Sequence, residues 1–280
     1  MVVLTDRGEA KMSWKNKIIA ALVAVGLMTC SSLSYAFGEM EHVNMNVYVY
    51  PSGAPLGYIE ADVTKPQGFD IDIIYELQRR LFFTLEENRI FPLQFDAAFQ
   101  RLEDGSADLV VGGISFTKAR AEKYDFTPIY FRSCLAVVYS KRHHPEIKSA
   151  QDLKGLKVGF QRGTPAADFI DATGGQGVPF DNSILALFQV SDGQLDALIY
   201  DRPPMAEFVR TMPNLDLAVT NDVFGEAACE FAFAMPKDYK YTRIINQTLQ
   251  SMMDDGTIDA LLKKWHLEKL DDLRASQAQD

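Results

Sequence analysis

The sequence predicts an α/β protein built on mostly parallel sheets flanked by helices, and three observations predict it. From residue 43 onward, short apolar runs alternate with stretches of helical periodicity. Twice an apolar run ends in glycine and passes straight into a helix start, at Gly112-Gly113 and at Gly163-Thr164. A third turn of the same kind follows Ala197–Tyr200, where Asp201 stands at the end of the run. Ligands in open α/β sheets sit beyond the carboxyl ends of strands, so these turns are where functional groups are expected.

Residues 1–36 read as a leader and not as fold. Lys15 and Lys17 precede the apolar run Ile18–Met28, and Ser34-Tyr35-Ala36 suits signal-peptidase cleavage before Phe37. The run is short for a membrane span. Met12 sits where such a leader normally starts. Cys30 raises lipidation as a rival, but Thr29 before it is larger than the residue usual in a lipoprotein signal. The expectation is a soluble protein exported to the periplasm. Cleavage leaves 244 residues, enough for one large or two small domains. It removes Arg7, Lys11, Lys15 and Lys17 together with Asp6 and Glu9, so the net charge moves from −10 to −12. A chain this acidic is a poor partner for nucleic acid or an anionic membrane.

Val43–Tyr50 alternates around Val47 and Val49 and is expected as a strand. Pro51–Tyr58 is a loop by its proline and glycine content. Gly68-Phe69-Asp70-Ile71-Asp72 opens a helix with an apolar stripe of Ile73, Ile74, Leu77 and Leu81. Asp70 or Asp72 can cap that helix, and either can instead be a ligand. Phe91–Leu93 is a weak strand, and Phe95, Ala98, Phe99 and Leu102 mark a helix ending at Gly105. Asp108–Val111 then reads as a buried strand running into Gly112.

In Gly112–Arg120, Thr117 can cap a helix beginning at Lys118, which places Arg120 in its first turn. Strand end, glycine turn and helix start offer free N–H groups, and Arg120 adds a fork that matches a carboxylate. A cation in a first turn opposes the helix dipole, and a bound anion would reverse that cost. Arg120 is thus either an anion clamp or a surface arginine on an ordinary capped helix.

Tyr124–Tyr130 is extended, Leu135–Tyr139 is a strand, and the polar stretch that follows holds His143 and His144. Adjacent histidines point different ways on any regular element, so no metal is expected there. Leu153–Phe160 leads into a second strand, with Thr164 as N-cap and Pro165 as first residue of the next helix. A helix around Ile184–Val190 and the strand Ala197–Tyr200 follow. Asp201 either serves the site or caps the helix at Pro203-Pro204. Glu230–Met235 is a strand, and Ile244–Met253 and Ile258–Trp265 are amphipathic helices.

Taken together, Gly68–Ile73, Phe95-Asp96-Ala97, Ala107-Asp108, Ile114–Arg120, Tyr124–Thr127, Leu153–Gly159, Gly163-Thr164, Leu195-Asp196-Ala197 with Asp201, and Asp255-Gly256-Thr257 with Lys264-Trp265 resemble, in order, the extracytoplasmic solute-binding proteins of the polar amino acid type that serve ABC importers. The resemblance implies a two-lobed periplasmic binding protein fold of type II, joined by two crossing strands. Lobe one would be 37–131 plus 231–270, lobe two 132–230, and 271–280 a C-terminal tail. It implies a free L-amino acid as ligand, arginine first, importer membrane subunits as partners, a monomer, and no cofactor or metal. By the same resemblance Arg120 clamps the ligand α-carboxylate, helped by the backbone N–H and hydroxyl of Ser115. Gly113 places a carbonyl near the α-ammonium, Asp201 accepts from that ammonium, Thr164 closes on the carboxylate, and Phe95 packs on the ligand body.

Three positions depart from the family. Gly53 replaces an aromatic lid residue, Tyr50 a carboxylate of basic-amino-acid binders, and Pro165 a residue whose N–H holds the carboxylate. An enzyme of the dehydratase kind on the same fold, with Asp201 or Glu207 as acid–base, is the alternative. A ligand sensor that shows its closed form to a separate receptor is another. Exported cysteines tend to pair, and the family layout puts Cys134 and Cys229 near the two crossings. They are expected either as a disulfide or as two buried thiols.

Overall fold

The structure, a computed structural model, describes residues 40–51 and 53–278, so the leader, the Met12 start and Cys30 lie outside the described residues. The run over 43–50 is two strands, β1 (Asn44–Met45) and β2 (Val47–Val49). β1 pairs in parallel with β3 (Thr84–Leu85). β2 lies in parallel between β4 (Phe91–Pro92) and β5 (Leu109–Val111), with Val47 opposite Leu109 and Val49 opposite Val111. All four of these register partners are buried, which pins the pairing, because a one-residue slip would turn them outward. The sheet is completed by β14 (Ala234–Pro236), antiparallel to both β5 and β6 (Tyr124–Phe126), in the order β4-β2-β5-β14-β6. Helices α1 (Phe69–Leu81), α2 (Phe95–Glu103) and α3 (Lys118–Lys123) connect it.

The second sheet has the same plan. β8 (Leu135–Ser140), β9 (Lys157–Gln161), β10 (Gln176–Phe180), β11 (Ala197–Asp201) and β12 (Leu217–Val219) lie in the order β10-β9-β11-β8-β12. β10, β9 and β11 are parallel, and β8 runs antiparallel between β11 and β12. α4 (Ala167–Thr173), α5 (Ser183–Ser191) and α6 (Arg202–Thr211) connect these strands. In each sheet the antiparallel strand is the one that enters from the other unit or returns from it, so the topology itself makes two lobes.

Two strands cross between them. β7 (Phe131–Arg132) pairs antiparallel with β13 (Glu230–Phe231), and the rings of Phe131 and Phe231 stack at 5.7 Å. The expected single strand over Glu230–Met235 is therefore broken: its first part belongs to the crossing and its last part to the first sheet. After α7 (Thr242–Asp254) and α8 (Thr257–Lys264), the residues read as a tail contain α9 (Leu270–Gln277). Leu270 and Leu273 bury their side chains against Cys134 and Val223.

Cys134 and Cys229 are free and buried, the second of the two expected states. Their backbones are close, since Ser133 N–H donates to the Cys229 carbonyl at 3.1 Å. Their side chains serve different neighbours: Cys134 lies under α9, and Cys229 Sγ donates to Asp201.

Candidate functional site

The first glycine turn is held from below by a buried carboxylate. Asp70 does not cap its own helix, whose N-cap is Gly68 with no side-chain bond. Its Oδ2 instead accepts the N–H of Gly112 at 2.9 Å and of Gly113 at 2.8 Å, and its Oδ1 accepts the Tyr130 hydroxyl at 2.8 Å. The turn's N–H groups, expected to be free for a ligand, are thus spent on Asp70. Burial pushes the Asp70 carboxyl up to about 6, against the pull of those three donors. Gly112 is obligatory here: its φ is 107°, and a Cβ would lie 2.0 Å from the Tyr50 carbonyl oxygen. Asp72 is not a cap either, because it accepts from Lys264 and from the Trp265 indole at 2.7 Å.

This scaffold presents Ser115 and Arg120. Thr117 caps α3 as expected, its hydroxyl oxygen accepting the Arg120 N–H at 3.1 Å. The Arg120 guanidinium lies over the rings of Phe95 and Phe99, 5.0 and 5.4 Å from their centroids. It donates to the Ser115 carbonyl at 2.7 Å and, across the cleft, to the Gly163 carbonyl at 3.0 Å. Among the described residues two of its five N–H groups are so engaged, which leaves three. Burial lowers its basicity, and the nearby Asp201 charge opposes that.

From the other lobe come the β9 turn and the end of β11. Thr164 does not cap a helix: its hydroxyl donates to the Gln161 carbonyl at 2.8 Å. Helix α4 starts two residues later than expected, at Ala167, with Pro165 in the preceding turn. Asp201 occupies the N-cap position of α6 yet makes no capping bond. The reason is in the sequence, for Pro203 and Pro204 remove the two N–H groups a capping aspartate would take. The half-buried Asp201 carboxyl is pushed up to about 7 by burial, against the Cys229 thiol and the Arg120 charge.

The structure therefore brings Gly113, Ser115, Arg120 and Phe95 to one side of the cleft, with Thr164 and Asp201 on the other. It adds residues whose role sequence reasoning missed. The Tyr50 hydroxyl donates to Gln161 Oε1 at 2.9 Å across the cleft, with Tyr200 nearby. Phe95 stands edge-on to Tyr50 at 5.4 Å. Gly53 faces Pro204, where a Cβ would come within 3.2 Å of the Pro204 Cβ, so a side chain here would crowd the other lobe. No signal in the sequence pairs Tyr50 with Gln161, 111 positions apart. Glu207 is outside this group and forks onto Arg210. His144 lies between Glu146 and Asp196.

Two lobes of matching topology, two crossing strands, and a cation facing a carboxylate between them define a cleft-type ligand-binding protein. The chain belongs to the bacterial extracellular solute-binding proteins, family 3, whose pattern matches residues 45–268. It is 31% identical over 244 residues to the amino-acid-binding protein AabA of Dichelobacter nodosus, covering 85% of this chain and 93% of that one. Among solved structures it is similar to an ancestral arginine-binding protein bound to glutamine, with TM-score 0.72 and 29% identity over 80% of this chain and 98% of that one. It is also similar to an ancestral amino acid-binding protein described as a precursor of cyclohexadienyl dehydratase. That match has TM-score 0.68 and 26% identity over 79% of this chain and 94% of the other.

Proposed function

We propose that the chain captures a free α-amino acid between its lobes and delivers it to the membrane subunits of an ABC importer. The observation that carries this is the pair Arg120 and Asp201. They couple electrostatically across the cleft, and among the described residues neither is engaged in an ion pair. An amino acid supplies one partner for each: a carboxylate for the three unused N–H groups of Arg120, an ammonium for Asp201. Ser115, Gly113 and Thr164 line the carboxylate and ammonium ends, and Phe95 with Tyr50 packs on the body. The hydroxyl of Tyr50 and the amide of Gln161 suit a polar or basic side chain, and arginine is the first ligand to test. We take 1–36 as a cleaved signal peptide, the periplasm as location, 37–131 with 231–270 and 132–230 as the lobes, and a monomer as the working form.

A thermal-shift screen of the twenty amino acids tests this, since a ligand that binds only the folded state raises the melting temperature. A marked shift with a few polar or basic amino acids is the expected result, and none with any of the twenty would overturn it. Catalysis of the dehydratase kind has one observation in its favour: an Asp201 carboxyl near 7 is placed to move a proton at neutral pH. Turnover of a cyclic dicarboxylate, lost in Asp201→Asn, would decide for it.

A further inference from the structure

We infer that Cys229 is a positioning residue of the cleft, its thiol donating to Asp201 so that the carboxylate keeps one oxygen toward the crossing strands and offers the other to the ligand. The inference rests on the reading of Asp201 as the ammonium acceptor. Four observations carry it. Among the described residues, the Cys229 thiol is the hydrogen-bond donor to Asp201, Sγ to Oδ1 at 3.4 Å. The helix behind Asp201 has prolines where its donors would be. Cys229 is fully buried. Its backbone is fixed at the crossing, its N–H donating to the Glu226 carbonyl at 2.9 Å and its carbonyl accepting from Ser133 at 3.1 Å.

A thiol suits this place chemically. Burial and the adjacent Asp201 charge push it well above its usual range, so it remains a neutral donor at any working pH. It orients the carboxylate without supplying a charge, which leaves the Asp201 charge to be met by the ammonium. The other titratable groups facing this pair are Arg120 from α3, Tyr50 beyond β2, Tyr200 on β11, and Cys134 behind Cys229. Of these Arg120 acts on Asp201 in the same direction as the thiol, so removing the thiol leaves the carboxylate less supported and not unsupported.

The test needs no ligand at first. In ligand-free protein carrying 13C-carboxyl aspartate, the Asp201 signal is assigned by its absence in Asp201→Asn and followed against pH. Cys229→Ala, and Cys229→Val as a filler of nearly the same volume, are expected to move its midpoint up. Cys229→Ser, which restores a donor, is expected to return it to the wild-type value or below. Calorimetry then uses the amino acid giving the largest shift in the screen. Cys229→Ala should bind it about ten-fold more weakly, with its des-amino analogue little changed and Cys229→Ser restored. An Asp201 midpoint unmoved by both apolar variants overturns the inference. If no amino acid binds, the transport reading fails while the titration still decides the role of Cys229.

Discussion

Asp70 shows how much of the site rests on a residue that never faces the cleft. Its carboxylate is completely buried and satisfies two consecutive backbone N–H groups of the turn that leads to Ser115 and Arg120. Asp70→Ala would leave both N–H groups and the Tyr130 hydroxyl without a partner, at a cost of about 3 kcal/mol. Urea denaturation should report that loss, together with weakened ligand binding as the turn relaxes. Unchanged stability would mean that water reaches the turn. Thr117 is a smaller case. Thr117→Ala removes the cap that accepts the Arg120 N–H, for which about 1 kcal/mol is expected by the same method.

At the scale of elements, α9 follows lobe one in the chain and packs on lobe two. It follows α8, which packs on α1, while its apolar face covers Cys134 and Val223 and its Arg274 forks onto Glu226. The apolar contact should dominate. Leu273→Ala is expected to cost about 2 kcal/mol, because Leu273 is nearly buried. Arg274→Ala should cost clearly less than Leu273→Ala, because that pair is solvent-exposed. Equal losses in a chemical melt would reverse this assignment. The sequence shows why such parts are harder to read than β5 or β9. β5 is a continuous apolar run that ends in glycine, and β9 leads into the turn at Gly163, so both are legible. β10, Gln176-Gly177-Val178-Pro179-Phe180, carries glycine and proline and pairs along one side only, where a proline is tolerated. β3 and β12 are too short for any period to show. Arg120, Thr117 and Asp201 were legible because each sits at the start of an element. Asp70, Gln161 and Cys229 were not, because their partners lie 28 to 111 positions away.

At the scale of the whole molecule, two carboxyls link fold and site to pH. Asp70 and Asp201 bind protons more tightly folded than unfolded, with values of about 6 and 7. Their contribution to stability is complete below the ordinary carboxylate range and is lost as pH rises through 6 to 7. Asp62 and Asp255 are held down to about 2 and act the other way, losing their contribution as pH falls below about 4. The ligand-free melting temperature should therefore rise as pH is lowered from 8 toward 5 and fall again below 4. Binding has the opposite slope in the upper range, since an ammonium needs Asp201 ionised. The central claim is that one ligand is held at both its charges by Arg120 and Asp201, and calorimetry on three proteins tests it most directly. The amino acid selected by the screen and its des-amino analogue are titrated into wild type, Arg120→Ala and Asp201→Asn near pH 8. Arg120→Ala should cost about 2–5 kcal/mol with both ligands. Asp201→Asn should weaken the amino acid far more than the analogue. Wild-type affinity in Arg120→Ala, or equal losses for the two ligands in Asp201→Asn, would contradict the account.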